Sequence, residues 1–583
     1  LDAYAAVGYA HGIRNAWTAL ILRQAALGRL GEWFGSEGVE IDIAARMLAL
    51  SPQAQVGYGE IDPAARQVLS AYASGLSAAL GNESVLRDEL LVLLRIDEIE
   101  PWLPWHSIAV ERLVSWLATS VEYDPAVVRS ELPIDFVRLM NASSKLREWL
   151  ALEGFSNSAA WAVRRDDVTH LFYRLVLGSS IKPYVQETSI HTGEPGLVNA
   201  VFLVGTPFMF AGQNASKSWA ILPHQTAVVR PSTSDDRTTA RSRITFADGS
   251  EQLIAYQLTD GGLSFGRDSS GVDLMWPGLK YSTDSEAWIS VASDLQTSFS
   301  VFDGTSIEVT RAGVWTVNGP DRAVRKINGG VYVGHSDWSR FPAQRLANWM
   351  DEGYAINITA LKNDTYSEWA ESVVPELLTV AGSRTGDTEY DEAIQYLRNW
   401  DYSYSASSIA GAIFDSWATQ VWLTTGLMPG LDSTSGLDSL GTVPALRSAL
   451  DRLRRAYGSD QSAWRWERVQ MNQRNWPLWQ MIERRSNSMA RSRFAPVTTI
   501  GSGHPSSLAW GATSNVARGR PPGKWESWIT TEDWSWSYTS DTNLDNFSRF
   551  RRTDAPLSTA LTVTLPDASL VDGRNSTMLV PAS

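Results

Sequence analysis

Apolar side chains recur at helical spacing over residues 1 to about 150. Ile13, Trp17, Leu20, Leu27, Leu30 and Phe34 stand 4, 3, 7, 3 and 4 positions apart, which lines one face of an amphipathic helix. Gly35 follows as its stop. Ile61-Asp62-Pro63 supplies a cap and a first-turn proline for a second helix, running through Ala79 to just before Gly81. Trp102, Pro104 and Trp105, followed by Ile108, Val110, Leu113 and Trp116, open a further helical stretch.

From about 156 to 335 the period becomes two. Segments Ser158–Val163, Asn199–Gly205, Ser216–Leu222, Glu251–Leu258, Ala287–Ala292 and Val314–Val317 read as strands separated by Gly and Ser-Asp clusters. Helical spacing returns over 340–480, as in Ala393, Ile394, Leu397, Ile409, Ile413 and Trp417. The tail from 495, rich in Gly, Pro, Ser and Trp, reads as loops and short strands. A sheet-rich centre with helices on both sequence sides predicts a layered α+β body. No repeat of solenoid period interrupts it.

Composition narrows the function more than the fold. The 583 residues are 44% hydrophobic and 20% charged, an ordinary globular balance. The 26 Trp, 18 Tyr and 16 Phe provide for a deep core and for an apolar pocket. A formal charge of −14 gives nucleic acid or an anionic membrane no general attraction, so neither is expected as a partner. The basic stretch Arg484, Arg485, Arg491 and Arg493 reads as a solvated face. With no cysteine, disulfides, thiolate metal sites and cysteine nucleophiles are excluded. No run approaches the ~18 apolar residues of a membrane span. The first residues read as an element already in progress, with no signal-peptide pattern among them, and Leu1 is not taken as the native start.

Several segments, in order along the chain, resemble the penicillin acylases, amidohydrolases with an N-terminal nucleophile. Asp2–His11 followed by Leu22–Glu32 is similar to that family's first long helix, and Ala71–Ala78 to another of its helices. Pro101-Trp-Leu-Pro-Trp105, Leu361–Ser367, Asn399-Trp-Asp401 through Trp417, and Ala463–Trp466 resemble four later segments. The resemblance implies a four-layer αββα sandwich, with a helical region over 1–155 and the nucleophile-bearing region over 156–583. Within the second region, central sheets would occupy 156–335, helices 340–480 and a loop-rich end 495–583. It also implies a precursor cut just before a serine, whose freed amine then acts as base for its own hydroxyl. An α-amine with a pKa near ~8 is partly neutral at pH 7, so the chemistry is sound. The processed protein would consist of two chains from one precursor, in a periplasmic or extracellular setting.

Two serines compete for that position. The family pattern is Ser-Asn-x-Trp, and the segment here is Ser156-Asn157-Ser158-Ala-Ala-Trp161. Ser156 has the asparagine beside it but its tryptophan five positions on. Ser158 has the tryptophan at the right distance but Ala159 where asparagine is expected. A separation of two preserves strand facing, and spacing within a buried strand is harder to change than one side chain. Ser158 is therefore the structural equivalent by spacing, and Ser156 the closer chemical match.

The expected helpers are altered. No histidine occupies Tyr173–Leu177, where the resemblance implies a group beside the α-amine, and His170 reads as the end of the preceding hairpin. Gly212–Trp219 is similar to a family hairpin, beyond which a backbone N–H is implied as an oxyanion donor. Pro223 and His224 stand there, and proline has no N–H to give. His224 offers its amide or ring as a substitute, although a lone histidine more often has a structural part. For the second donor the candidate is Asn318, with Asn328 behind it. Asn318-Gly319 also reads as a hairpin turn, the reading we favour for it. Arg340 and Arg345 stand near an arginine of the family pattern without falling on it. Ala227 and Arg230 replace the acidic residues of the family's calcium site, so neither a metal nor another cofactor is expected.

Three functions follow from this reading. The first is a working amidase on a small-molecule acyl amide: a β-lactam side chain, an acyl-homoserine lactone or a related amide. The second is a catalytically degenerate relative serving as a binding or scaffold protein. The third is a repurposed acyl-transfer enzyme of natural-product assembly.

Overall fold

The structure is a computed structural model and describes residues 1–118, 134–150, 158–165, 168–176, 184–191, 197–213, 217–223, 230–231, 237–246, 248–259, 262–267, 273–276, 288–294, 298–302, 306–309, 315–316, 324–327, 330–334, 338, 340–352, 358–425, 427–431, 436–469, 472–473, 498–499, 503–504, 506–508, 524–530, 534–538 and 561–564. The chain opens with α1 (Asp2–Leu27), α2 (Gly31–Phe34), α3 (Val39–Met47), α4 (Leu50–Glu60), α5 (Pro63–Leu80), α6 (Glu83–Leu86), α7 (Glu89–Leu93), α8 (Pro104–Ala118) and α9 (Ile134–Leu150).

α1 departs from the predicted amphipathic helix in two ways. It stops at Gly28 and not at Gly35: Gly28 adopts a left-handed φ of 61°, and its N–H returns to the Ala25 carbonyl. Leu30 and Phe34 therefore belong to the next turn of chain. Ile13 is 40% exposed, while Trp17, Ala19, Leu20, Ile21 and Leu22 are buried around most of the circumference. α1 is a central helix packed on several sides. α5 matches its sequence signals, with the Asp62 carboxylate accepting the Ala64 N–H at 2.7 Å and Pro63 in the first turn. α8 likewise starts at Pro104.

Strands then follow: β1 (Ala159–Arg165), β2 (Val168–Val176), β3 (Val185–His191), β4 (Leu197–Leu203), β5 (Met209–Gln213), β6 (Lys217–Pro223), β7 (Arg230–Pro231), β8 (Thr238–Thr245), β9 (Glu251–Thr259), β10 (Gly262–Arg267), β11 (Asp273–Trp276), β12 (Trp288–Asp294), β13 (Ser298–Phe302), β14 (Ser306–Val309), β15 (Trp315–Thr316), β16 (Val324–Ile327) and β17 (Gly330–Gly334). The second helical run is α10 (Arg340–Asp351), α11 (Ile358–Asn363), α12 (Glu368–Ala381), α13 (Thr388–Arg398), α14 (Ile409–Thr425), α15 (Thr442–Tyr457) and α16 (Trp466–Val469). β18 (Asn472–Gln473), β19 (Thr498–Thr499), β20 (Lys524–Thr530), β21 (Trp534–Tyr538) and β22 (Leu561–Thr564) complete the described strands.

A six-stranded antiparallel sheet has the order β16-β17-β1-β2-β20-β21. A nine-stranded sheet runs β15-β14-β13-β12-β6-β5-β4-β3-β22, antiparallel except for the parallel β3–β22 pair. A third sheet, β7-β11-β10-β9-β8, borders α2, α3 and α9.

Alternation along the strands defines the layers. Phe202 of β4 meets the His11 ring of α1, and Gln186 of β3 accepts from Asn15, so one face of the nine-stranded sheet is covered by helices. Its other face shares a core with Ala160, Ala162, Leu171, Tyr173 and Leu175 of the six-stranded sheet. The outer face of that sheet, through Ala159, Trp161, Val163, Phe172 and Tyr332, packs on Ala343 and Leu346 of α10 and Leu361 of α11. The order is helices, sheet, sheet, helices: a four-layer α+β sandwich. α12 to α16 enclose a separate core around Trp369, Phe414, Trp417 and Trp464.

Candidate functional site

β1 lies inside its sheet, with β17 and β2 on either side. Ala159 faces both Gly334 and Arg174, so the strand is paired from its first residue. Its side chains divide between two faces. Trp161 points outward, stacked on Phe172 with ring centroids 5.1 Å apart and planes 16° apart. Ala160 and Ala162 point toward the second sheet. Ser158 has the parity of Ala160 and lies at the strand's entry, 1% exposed.

The two sheets come unusually close beside this strand. Cα atoms of β1 and β2 approach β6 to within 8 Å, against the ~10 Å usual for face-to-face sheets. The inner faces there carry Ala160, Ala162, Ala211 and Ala220, all fully buried. Methyl groups facing methyl groups permit that approach, and the space between the sheets is narrow at these alanines. Between buried sheets, charge interactions act at greater strength than in water.

Of the four candidate catalytic residues, the structure places Ser158. Ser156, His224 and Asn318 lie outside the described residues, as do Asn328, Ala227 and the Arg484–Arg493 stretch. The hairpin that precedes His224 in the sequence is present: Gly212 pairs with Trp219 and Gln213 with Ser218, joining β5 to β6. Pro223 ends β6 opposite Trp288 of β12. His170 does not end a hairpin. It sits inside β2, opposite Val163 and Thr530, because pairing continues beyond it to Val168.

Neither candidate arginine stands at the interlayer face. Arg340 begins α10 and donates to the Gly430 carbonyl. Arg345 donates to Asp364 at 2.7 Å, and its guanidinium lies 4.3 Å from the Tyr366 ring centre. Both belong to the packing of the second helical run.

Buried polar residues on the interlayer face, Tyr173 and Asn199 among them, were not picked out as site candidates by the sequence reading. Tyr173 pairs with Ala160 on the face that Ser158 shares, and burial pushes its phenol well above the ordinary range. It is therefore a neutral hydroxyl at physiological pH. Asn199 has the parity of Val201, opposite to the helix-covered Phe202, and its side-chain oxygen accepts from Ser189 Oγ at 2.6 Å. The available signal was parity within a strand, which becomes usable only once the partner strand is known.

A family model described as penicillin amidase matches residues 1–236 and 343–518. The chain is 29% identical over 230 residues to the penicillin acylase 2 proenzyme of Pseudomonas sp. (strain SE83), a match covering 40% of this chain. That match spans about a quarter of the relative's length, 26%. Among solved structures, a thermostable penicillin G acylase from Alcaligenes faecalis, in orthorhombic form, aligns with a TM-score of 0.41 at 10% identity. The alignment covers 67% of this chain and 93% of that one.

Proposed function

Because this chain belongs to the penicillin amidase family, we propose that it is an acylase-type amidohydrolase whose nucleophile is the serine entering β1. The observation that supports this most is Ser158 itself: a buried hydroxyl at the head of a central strand, on the face that also carries Tyr173.

The steps follow from elementary chemistry. Hydrolysis of the preceding peptide bond frees the serine's α-amine, which accepts the hydroxyl proton as Oγ attacks the acyl carbonyl. A tetrahedral oxyanion forms and collapses. The C–N bond breaks, the leaving amine takes the proton from the α-ammonium, and an acyl ester remains on Oγ. Water, deprotonated by the same amine, cleaves the ester and releases the acid. The substrate class is a small acyl amide, such as a β-lactam side chain or an acyl-homoserine lactone.

Two observations favour a second reading, a degenerate or repurposed relative. Ser158 lacks the following asparagine, and Pro223 brings no N–H to a position where a donor is wanted. Loss of one oxyanion donor typically costs ~10²–10³ in rate.

Denaturing electrophoresis with intact mass measurement separates the readings. Cutting before Ser158 would yield fragments 1–157 and 158–583, and cutting before Ser156 would yield 1–155 and 156–583. Of Ser156→Ala and Ser158→Ala, one should block the cut and lower amide hydrolysis on the order of 10⁴-fold or more. An intact wild-type chain without amidase activity would sink the first reading in favour of the second.

A further inference from the structure

The loop at 503–508 holds a polar chain that the proposed chemistry does not use. His504 is 5% exposed and lies flat between two rings, Trp369 at 5.1 Å and Tyr404 at 4.7 Å, with planes 18° and 19° apart. Trp338 meets it edge-on at 4.9 Å. The Ser506 backbone N–H points at Nδ1 from 3.1 Å, and a backbone donor cannot turn round. Nδ1 therefore carries the lone pair, and the ring proton sits on Nε2, which faces Asp415 Oδ1 at 3.4 Å.

That tautomer orders the remaining donors. Ser506 Oγ, 2.7 Å from the same Nδ1, donates to it, and so accepts from Ser367 Oγ at 2.6 Å. Ser367 in turn caps α12 by accepting the Ala370 N–H at 3.1 Å. Protons point one way along the chain: Ser367, Ser506, His504, Asp415. The connectivity is that of a nucleophilic triad, yet Ser367 and Ser506 are each fully buried and bonded to one another. No substrate reaches them, so the arrangement fixes backbone.

What it fixes lies next in the sequence. Ser507 donates from its N–H to the His504 carbonyl at 2.7 Å, and from Oγ to Thr365 O at 3.0 Å. One residue on, Leu508 leaves the helical core and enters the apolar cluster of Ala159, Trp161 and Val163 beneath β1. We propose that His504 is a positioning residue for β1: through Ser506 and Ser507 it seats Leu508 under the strand that Ser158 begins. The consequence for catalysis rests on the reading of that serine as nucleophile. The mechanical content rests on the fold alone.

Native-state hydrogen exchange on the full chain tests it, comparing peptides over 159–165 with peptides over 63–80. His504→Ala should speed exchange in β1 by about tenfold while leaving α5 unchanged, and Leu508→Ala should do the same. His504→Asn, which keeps an acceptor where Nδ1 stood, should restore protection. His504→Gln, which lacks it, should not. The Asn and Gln pair carries the test if the alanine variant fails to fold. In the processed enzyme, His504→Ala should lower kcat about tenfold at unchanged KM, with rescue by Asn. Unchanged β1 exchange, equal acceleration everywhere, or indistinguishable Asn and Gln variants would overturn the proposal. If the exchange pattern holds in a chain that neither cuts itself nor cleaves amides, the hydrolase reading falls and the positioning stands.

Discussion

Asp42 shows at the scale of one residue how burial and hydrogen bonding compete. Its carboxylate accepts the N–H groups of Leu30 and Gly31 at 2.8 and 2.6 Å, which favours the ionised form. Burial outweighs them and raises its pKa from the ordinary 3.8 to about 7. Between these two values the native state holds a proton that the unfolded chain has released, so this residue's contribution to stability falls as pH rises from about 4 to 7. An asparagine at this position would not titrate. The stability of the wild type relative to Asp42→Asn, read from urea midpoints, should therefore be greater at pH 5 than at pH 8. A difference constant across that range would refute the account. Ser158 makes the complementary point. Its neighbours Ala160 and Trp161 stand on unlike faces of the strand, but nothing local said which face met the second sheet.

Among the elements, α1 and α5 cross so tightly that Gly75 is indispensable. A Cβ there would lie 1.8 Å from the Ala5 carbonyl oxygen, a clash with backbone that no side-chain rotation relieves. Gly75→Ala should cost about 3 kcal/mol or more, or prevent folding, as overpacking against an immovable neighbour does. Gly59→Ala in α4, where a Cβ meets nothing within 4 Å, should be neutral or stabilising by about 0.5–1 kcal/mol. Thermal melts of the two variants give the comparison, and similar shifts would contradict the close crossing. The cap of α5 and the start of α8 were legible because Asp62-Pro63 and Pro104 act on their own first turns. The end of α1 was not: Leu30 and Phe34 continue the helical spacing by coincidence, while Gly28 already terminates the backbone. β20 and β21 show the same limit, since a tail that reads as loops and short strands extends the six-stranded sheet beside β2.

For the whole molecule, the division into cores has consequences for how it opens. The sandwich core gathers α1, α5, α8 and strands of both large sheets, whereas α12 to α16 close around Trp369, Trp417 and Trp464. Separate cores open as separate cooperative units. Hydrogen exchange at increasing sub-denaturing urea should release amides of α12–α15 together, at a free energy distinct from that of α1 and α5. Coincident release of all four helices with α1 would argue for one indivisible unit. The 503–508 loop bonds to the helical unit through His504, Ser506 and Ser507, while Leu508 lies in the cluster under β1. The entry of β1 is therefore where opening of the helical unit should first be felt.

By itself the sequence determined the periods of its segments, the cap of α5, the start of α8, and the entry of a serine into a strand over 158–163. These are local properties, carried by spacing and by residues that act on their own turn of backbone. Tertiary structure alone decided that α1 is buried on several sides, that β1 lies between β17 and β2, and that Tyr173 and Asn199 face the interlayer space. It also decided that Ser367 bonds to Ser506, 139 residues further along the chain, and through it reaches His504. Such placements depend on which distant partner each backbone bond and apolar face finds, and spacing along a chain does not encode that choice.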